Sequence, residues 1–227
     1  MKYAVIGLGK FGTTLAKALA RGGAEVVAVD NNLDLVDEAK DEVTLAVKLD
    51  ATDEKELLAQ GIHKVDVAIV SIGENFEANQ LATVILKKLG VKKVITRATS
   101  TVRSKILALI GADEVISPEE ETAMRLAQRL LVPNIVDYLE LSEGYSVVEL
   151  KAPEKFHGKT IKELDIRNKY DINLIAIKRI LPVGKPSEGK TKIVLNAVPR
   201  PNDVIEPSDI LIVVGDDKSI EELLREE

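Results

Sequence analysis

From residue 2 to about residue 131, short runs rich in β-branched residues alternate with longer stretches whose apolar positions recur at helical spacing. That alternation predicts a parallel sheet with helices on its faces. Strands are expected at Lys2–Ile6, Glu25–Asp30, Thr44–Lys48, Val67–Ser71, Lys93–Thr96 and Glu114–Ile116. Helices are expected at about 11–22, 32–40, 53–60, 75–89, 101–110 and 118–131. Gly22, Gly61, Gly90 and Gly111 each stand just past a helical pattern, where a chain leaving a helix needs a left-handed residue. Six strands joined by five crossovers make a doubly wound, Rossmann-type α/β domain of residues 1–135.

The pattern then changes. Pro133 and Asn134 interrupt it, and a segment from Ile135 to Leu141 leads into short strands at Tyr145–Lys151, Leu174–Arg179, Lys192–Leu195 and Ile210–Val214. Gly184, Pro186, Gly189, Pro199 and Pro201 supply turns, and short helices are expected near 160–169 and 218–225. Residues 136–227 therefore read as a second, small α+β domain of antiparallel strands.

Composition narrows the function. With 45% hydrophobic and 30% charged residues the chain is an ordinary globular one, and no apolar run approaches the roughly 20 residues that span a bilayer. It runs from Met1 straight into an apolar strand without a basic leader, so a cytoplasmic location is expected. The absence of cysteine excludes disulfides, thiolate catalysis and cysteine-held zinc, and two histidines, His63 and His157, leave little for a histidine metal site. A net charge of −6 argues against a nucleic-acid partner, which usually meets a basic face.

Candidate chemistry begins right after the first strand. Gly7-Leu8-Gly9-Lys10-Phe11-Gly12 is a G-x-G-x-x-G opening a helix, and Asp30 follows 18 residues later at the end of the second strand. Gly7 allows the tight turn, Gly9 lets backbone approach a phosphate, and Gly12 lets helix and strand pack closely. The helix start offers unpaired N–H donors to an anion. Asp30, followed by Asn31, would accept hydrogen bonds from ribose hydroxyls and disfavour a 2′-phosphorylated ligand. Lys10 would reach a distal phosphate as a point charge, or simply be solvated. Asp50, Ala51 and Thr52, in Leu49-Asp50-Ala51-Thr52-Asp53, resemble an adenosine-side loop; Thr52 or Asp53 can equally cap the next helix. Ser71, Ile72 and Gly73 close the fourth strand, with Asn75 and Asn79 bordering the cleft or, for Asn75, capping. Arg97 points a cation at the same carboxyl-end crevice. Glu119, Glu120 and Glu121 open the sixth helix, where carboxylates suit the helix dipole.

A nicotinamide enzyme needs a proton donor or acceptor beside its hydride site. The first domain offers none of promise: His63 and His157 read as surface residues in connections, and Tyr170 as packing. An NAD-dependent oxidoreductase with a subunit-shared site, and a stand-alone nucleotide sensor, remain the alternatives.

Together with V-I-T-R-A at the fifth strand, A-D-E-V-I-S-P-E-E-E before the sixth helix, and the C-terminal G-K-T-I-K-E-L-D-I-R and S-D-I-L-I-V-V-G-D, these motifs resemble the regulators of potassium conductance. These are the RCK-domain regulatory subunits of Trk and Ktr potassium-uptake systems. The resemblance implies a cytoplasmic gating subunit, peripheral to the cell membrane, that binds ATP, ADP or NAD(H) without turnover. It implies homodimers assembling into an octameric ring under a membrane-embedded potassium transporter. By position, the glycines line the phosphates, Lys10 replaces the arginine that many members carry there, Asp30 holds the ribose, Asp50 and Thr52 flank the adenosine, and Arg97 approaches the phosphates. Glu119 takes the position where some members hold a divalent cation, magnesium or calcium. The C-terminal domain matches a module that in some members binds cyclic di-AMP, with Arg167 and Asn173 near the positions used.

Overall fold

A computed structural model describes residues 1–131, 134–182 and 191–225. It divides into two compact units, Met1–Glu121 and Thr122–Glu227.

In the first unit the strands are β1 (Lys2–Ile6), β2 (Glu25–Asp30), β3 (Leu45–Lys48), β4 (Val67–Val70), β5 (Lys93–Arg97) and β6 (Glu114–Ile116). They alternate with α1 (Lys10–Arg21), α2 (Leu33–Ala39), α3 (Glu54–Ala59), α4 (Phe76–Lys88), α5 (Thr101–Leu109) and α6 (Pro118–Leu131), whose last residues carry across the division between the units. The sheet order is β3-β2-β1-β4-β5-β6, and every pairing is parallel. This is the expected Rossmann-type α/β sheet. It forms because its central strands are apolar on both faces: Ala4, Ile6, Val27, Val29, Ala68 and Val70 pack on one side, and Val5, Val26, Ala28, Val67 and Ile69 on the other. The order reverses between β1 and β4, so the loops leaving their carboxyl ends diverge and open a crevice there.

Local signals end the helices much as the sequence reads. Asn32, Asp53, Asn75 and Ser100 cap α2, α3, α4 and α5 through their side chains. Gly61, Gly90 and Gly111 take left-handed conformations. Gly22 does not: its N–H still bonds Ala18 O at 3.0 Å, so its φ stays at −74° and the reversal falls one residue later, on Gly23 at φ 83°.

The second unit holds an antiparallel sheet of β7 (Ile135–Ser142), β8 (Tyr145–Lys151), β9 (Asn173–Pro182), β10 (Thr191–Asn196) and β11 (Asp209–Asp216), in the order β10-β9-β11-β8-β7. Val148, Leu150, Ile172, Leu211 and Val213 form its core with Phe156, Leu164 and Leu223. The helix expected near 160–169 is two short ones, α7 (Ile161–Leu164) and α8 (Ile166–Tyr170), because Asp165 between them is left-handed at φ 46°. A final helix, α9 (Asp217–Leu224), follows β11. Tyr170 does pack, its ring 6.3 Å from that of Phe156. Pro133, Gly184, Pro186 and Gly189, read as interruptions and turns, lie outside the described residues.

Candidate functional site

The crevice at the carboxyl ends of β1 and β4 is a cleft of about 620 Å³ within the first unit. Around it the fold gathers Gly7, Gly9, Lys10, Phe11, Asp30, Asn31, Asp50, Ala51, Thr52, Ser71, Ile72, Gly73, Arg97 and Glu119. Gly12 is the expected site residue that does not line it. Glu74 and Thr99, which the sequence reading passed over, do. Both stand in loops just past β4 and β5, so their position at strand carboxyl ends was the available signal.

The glycine loop is shaped by close approach. Gly7 is left-handed, at φ 95°, and its N–H bonds Val29 O at 2.8 Å, tying β1 to β2. A Cβ on Gly12 would meet Gly7 O at 1.9 Å and Ser71 Oγ at 2.5 Å, so only hydrogen fits where α1 passes under the turn. Ser71 secures the same carbonyl: its hydroxyl is placed 2.5 Å from Gly7 O and 3.1 Å from Ile6 O. Gly9 differs, because nothing beyond its own chain neighbours stands within 4 Å of where its Cβ would be. It caps α1 without a side-chain hydrogen bond, and the first turn holds no acidic residue, so the helix presents free N–H donors and positive potential to open space. These features fit the diphosphate of a nucleotide.

Asp30 has a structural duty as well as an expected ligand duty. One carboxylate oxygen accepts Leu8 N–H at 2.6 Å and the other Asn32 N–H at 2.8 Å. It therefore holds the glycine loop in place while keeping lone pairs free for a hydroxyl. Asp50 is held similarly: one oxygen accepts the Thr52 backbone N–H at 2.9 Å and the Thr52 hydroxyl at 2.7 Å. These bonds, the backbone one foremost, hold its carboxyl below the usual aspartate range. Thr52 is thus spent on Asp50, and Asp53 caps α3.

Replacing Thr52 by valine is expected to raise the Asp50 pKa toward the ordinary aspartate value, read by carbon-13 NMR titration of the carboxyl. The stability Asp50 contributes is present above the ordinary aspartate pKa and lost as pH falls through its lowered value; the variant should lose only the smaller part of that dependence that the hydroxyl supplies and keep the part that comes from the backbone N–H.

Two cations face the cleft in different states. Lys10 is exposed and has no ion-pair partner among the described residues. Arg97 is paired with Glu119, through Nη2 and, at 3.3 Å, through Nε, and its guanidinium lies 5.7 Å from the Phe11 ring centroid. Beneath both loops Asn79, expected to border the cleft, is 1% exposed and ties the floor together. Its amide donates to Ile72 O at 2.7 Å and Arg97 O at 3.1 Å and accepts from the Thr96 hydroxyl at 2.8 Å. Asn75 lines the cleft and caps α4, accepting from Ala78 N.

Among the described residues no group of three or more carboxylates and histidines is placed to hold a metal. Glu119, committed to Arg97, falls short of the oxygen set a magnesium or calcium ion needs. The histidines depart from the surface reading. His63 sits in a short 3-10 turn pressed inward by fully buried Ile62, and its Nδ1 is buried without a hydrogen-bond partner. His157 is half-buried, with Nε2 3.0 Å from Ala152 O. Neither lines the cleft. Arg167, on α8, and Asn173, opening β9, are both exposed.

An open parallel sheet with a glycine loop, an acidic β2 terminus and cations at the switch point defines a Rossmann-type nucleotide-binding module, here followed by a small α+β module. The TrkA-N domain family matches residues 3–118. The Ktr system potassium uptake protein C of Bacillus subtilis is 44% identical over 214 residues, covering 94% of this chain and 91% of the relative. The Ktr system potassium uptake protein A of the same organism is 39% identical over 219 residues, covering 96% and 93%. The chain belongs to this family of Ktr potassium-uptake proteins. In fold it is similar to the GsuK RCK domain, with a TM-score of 0.66 at 19% identity, over 99% of this chain; it spans about half of that one, 47%. No described helix is long and apolar enough to cross a membrane.

Proposed function

We propose that the chain is the nucleotide-sensing gating subunit of a membrane-embedded Trk/Ktr-type potassium transporter, binding its ligand without turning it over. The observation that carries this is the empty space beside Gly9, faced by free helix N–H groups and by Lys10, which has no ion-pair partner among the described residues, in a chain that follows the Ktr proteins over nearly its whole length. Gly7, Gly9 and Lys10 would hold the phosphates, Asp30 the ribose, and Asp50 and Thr52 the adenosine. ATP or ADP suits a loop whose lysine reaches a distal phosphate; NAD(H) suits the Asp30 position equally. A divalent cation would need ligand oxygens to complete what Glu119 begins, and cyclic di-AMP would bind the second unit, near Arg167 and Asn173.

The subunit acts in the cytoplasm, as homodimers assembled into an octameric ring. A ligand shifts such a ring between shapes only by the difference in its affinity for them. Calorimetry with ATP, ADP, NADH and cyclic di-AMP, with and without divalent ions, is expected to show saturable binding of at least one adenine nucleotide. No measurable affinity for any of them would overturn the proposal. Sustained multiple-turnover phosphate release from ATP would remove its gating-only character, and co-purification with a potassium-transporter subunit separates it from a stand-alone sensor.

A further inference from the structure

Arg97 is a residue on which three segments of the chain meet. Its guanidinium lies over the Phe11 ring from the glycine loop, packs against Gly73 from the loop after β4, and pairs with Glu119 from the first turn of α6. The fit at Gly73 is close: a Cβ there would stand 3.2 Å from Arg97 Nη1. The Arg97 side chain is 17% exposed and that of Glu119 60%, so the carboxylate forms the outer, wetter half of the pair. The cleft is lined by four carboxylates, Asp30, Asp50, Glu74 and Glu119, against two cations, Lys10 and Arg97. An anion entering it therefore meets an unfavourable charge balance and finds one of the two cations already taken.

We propose that Glu119 is a specificity-determining residue: an internal competitor that occupies Arg97, so that a phosphate-bearing ligand must displace it and binds less tightly than the cleft would otherwise allow, while a ligand without phosphate is unaffected. The inference rests on the nucleotide-binding reading above and adds to it a mechanism that moderates the preference for phosphorylated ligands. Arg97 has a planar fork of donors that serves a carboxylate or a phosphate equally well, and the exchange conserves its hydrogen bonds. What the exchange costs is the release of Glu119 into water, which is small because Glu119 is already mostly exposed. A nucleoside without phosphate leaves the pair closed and gains nothing from Arg97. A diphosphate opens it and frees the first turn of α6 from Arg97.

The test is calorimetric titration of the full chain with ADP and with adenosine, in chelator so that no divalent ion confuses the role of Glu119. Glu119→Gln is expected to tighten ADP by about two- to fivefold, the scale of a largely exposed ion pair, and to leave adenosine unchanged. In an Arg97→Gln background the same change should give no further gain for ADP, which a general change in fold or cleft shape would not reproduce. Equal ADP affinity with and without Glu119, weaker ADP binding in Glu119→Gln, or an equal gain for adenosine would each overturn the inference while leaving a nucleotide site in place. Failure of the parent protein to bind either ligand would overturn the nucleotide reading itself and this inference with it.

Discussion

Replacing Gly9 and Gly12 by alanine, one at a time, is expected to separate binding from folding. At Gly12 the new methyl has nowhere to go: Gly7 O would stand 1.9 Å away and Ser71 Oγ 2.5 Å. The first contact is backbone in the turn leaving β1, itself fixed by Gly7 N–H to Val29 O, so relief requires α1 to lift off the sheet. Overpacking against rigid backbone at a buried position costs about 3 kcal/mol or more. Gly9 has φ −62° and ψ −178°, a conformation open to any residue, and nothing beyond its own chain neighbours within 4 Å of its would-be Cβ. The Gly9→Ala protein should therefore melt within about 0.5 kcal/mol of the parent. Its methyl nevertheless projects where ligand phosphate and loop backbone must touch, and a loss of about tenfold or more in nucleotide affinity is expected. Thermal denaturation and calorimetry on both variants check this; a Gly9→Ala protein that binds as tightly as the parent would place the ligand elsewhere.

The two glycines also show what a sequence conveys and what it leaves out. Spacing identifies the loop, and the doubly apolar strands around it identify the parallel sheet, because both are statements about neighbours along the chain. Which glycine is packed and which faces open space depends on Ser71, 64 residues from Gly7, and on the pairing of β1 with β4. The same holds for Arg97 and Glu119. The strand-end position of Arg97 points it at the crevice and the family resemblance alone brings Glu119 near the nucleotide, but their pairing arises because β5 and β6 lie side by side, and 22 residues of chain separate them. At the small scale, consecutive glycines hide a one-residue shift, so Gly23 rather than Gly22 makes the reversal. Thr52 and Asp53 are both competent caps, and the choice turns on Asp50 claiming the threonine. His63 reads as polar and exposed in sequence, yet the buried Ile62 before it draws the turn inward.

Asn79 carries the second large expectation, because it lies under the cleft and joins its two walls. Asn79→Ala would leave the carbonyls of Ile72 and Arg97 and the hydroxyl of fully buried Thr96 without their partner. Unsatisfied groups at such depth cost about 2–4 kcal/mol together, since no water replaces the lost bonds. Asn79→Asp preserves shape and the acceptor for Thr96 but turns a carboxyl oxygen toward two carbonyls. Burial favours the neutral form of that carboxyl, whose pKa in the folded state then lies above its unfolded value. The folded state binds the extra proton, so stability falls as pH rises through and above the ordinary carboxylate range. Asn79→Ala shows no such added slope. Denaturant titrations at low and neutral pH separate the two cases, and a pH-independent Asn79→Asp protein would mean that position 79 is wetter than its 1% exposure implies. Because Asn79 holds the Arg97 carbonyl and the Ile72 carbonyl beside Gly73, both variants should also weaken nucleotide binding. A site built from loops on different strands keeps its geometry only while the buried amide between those strands is satisfied.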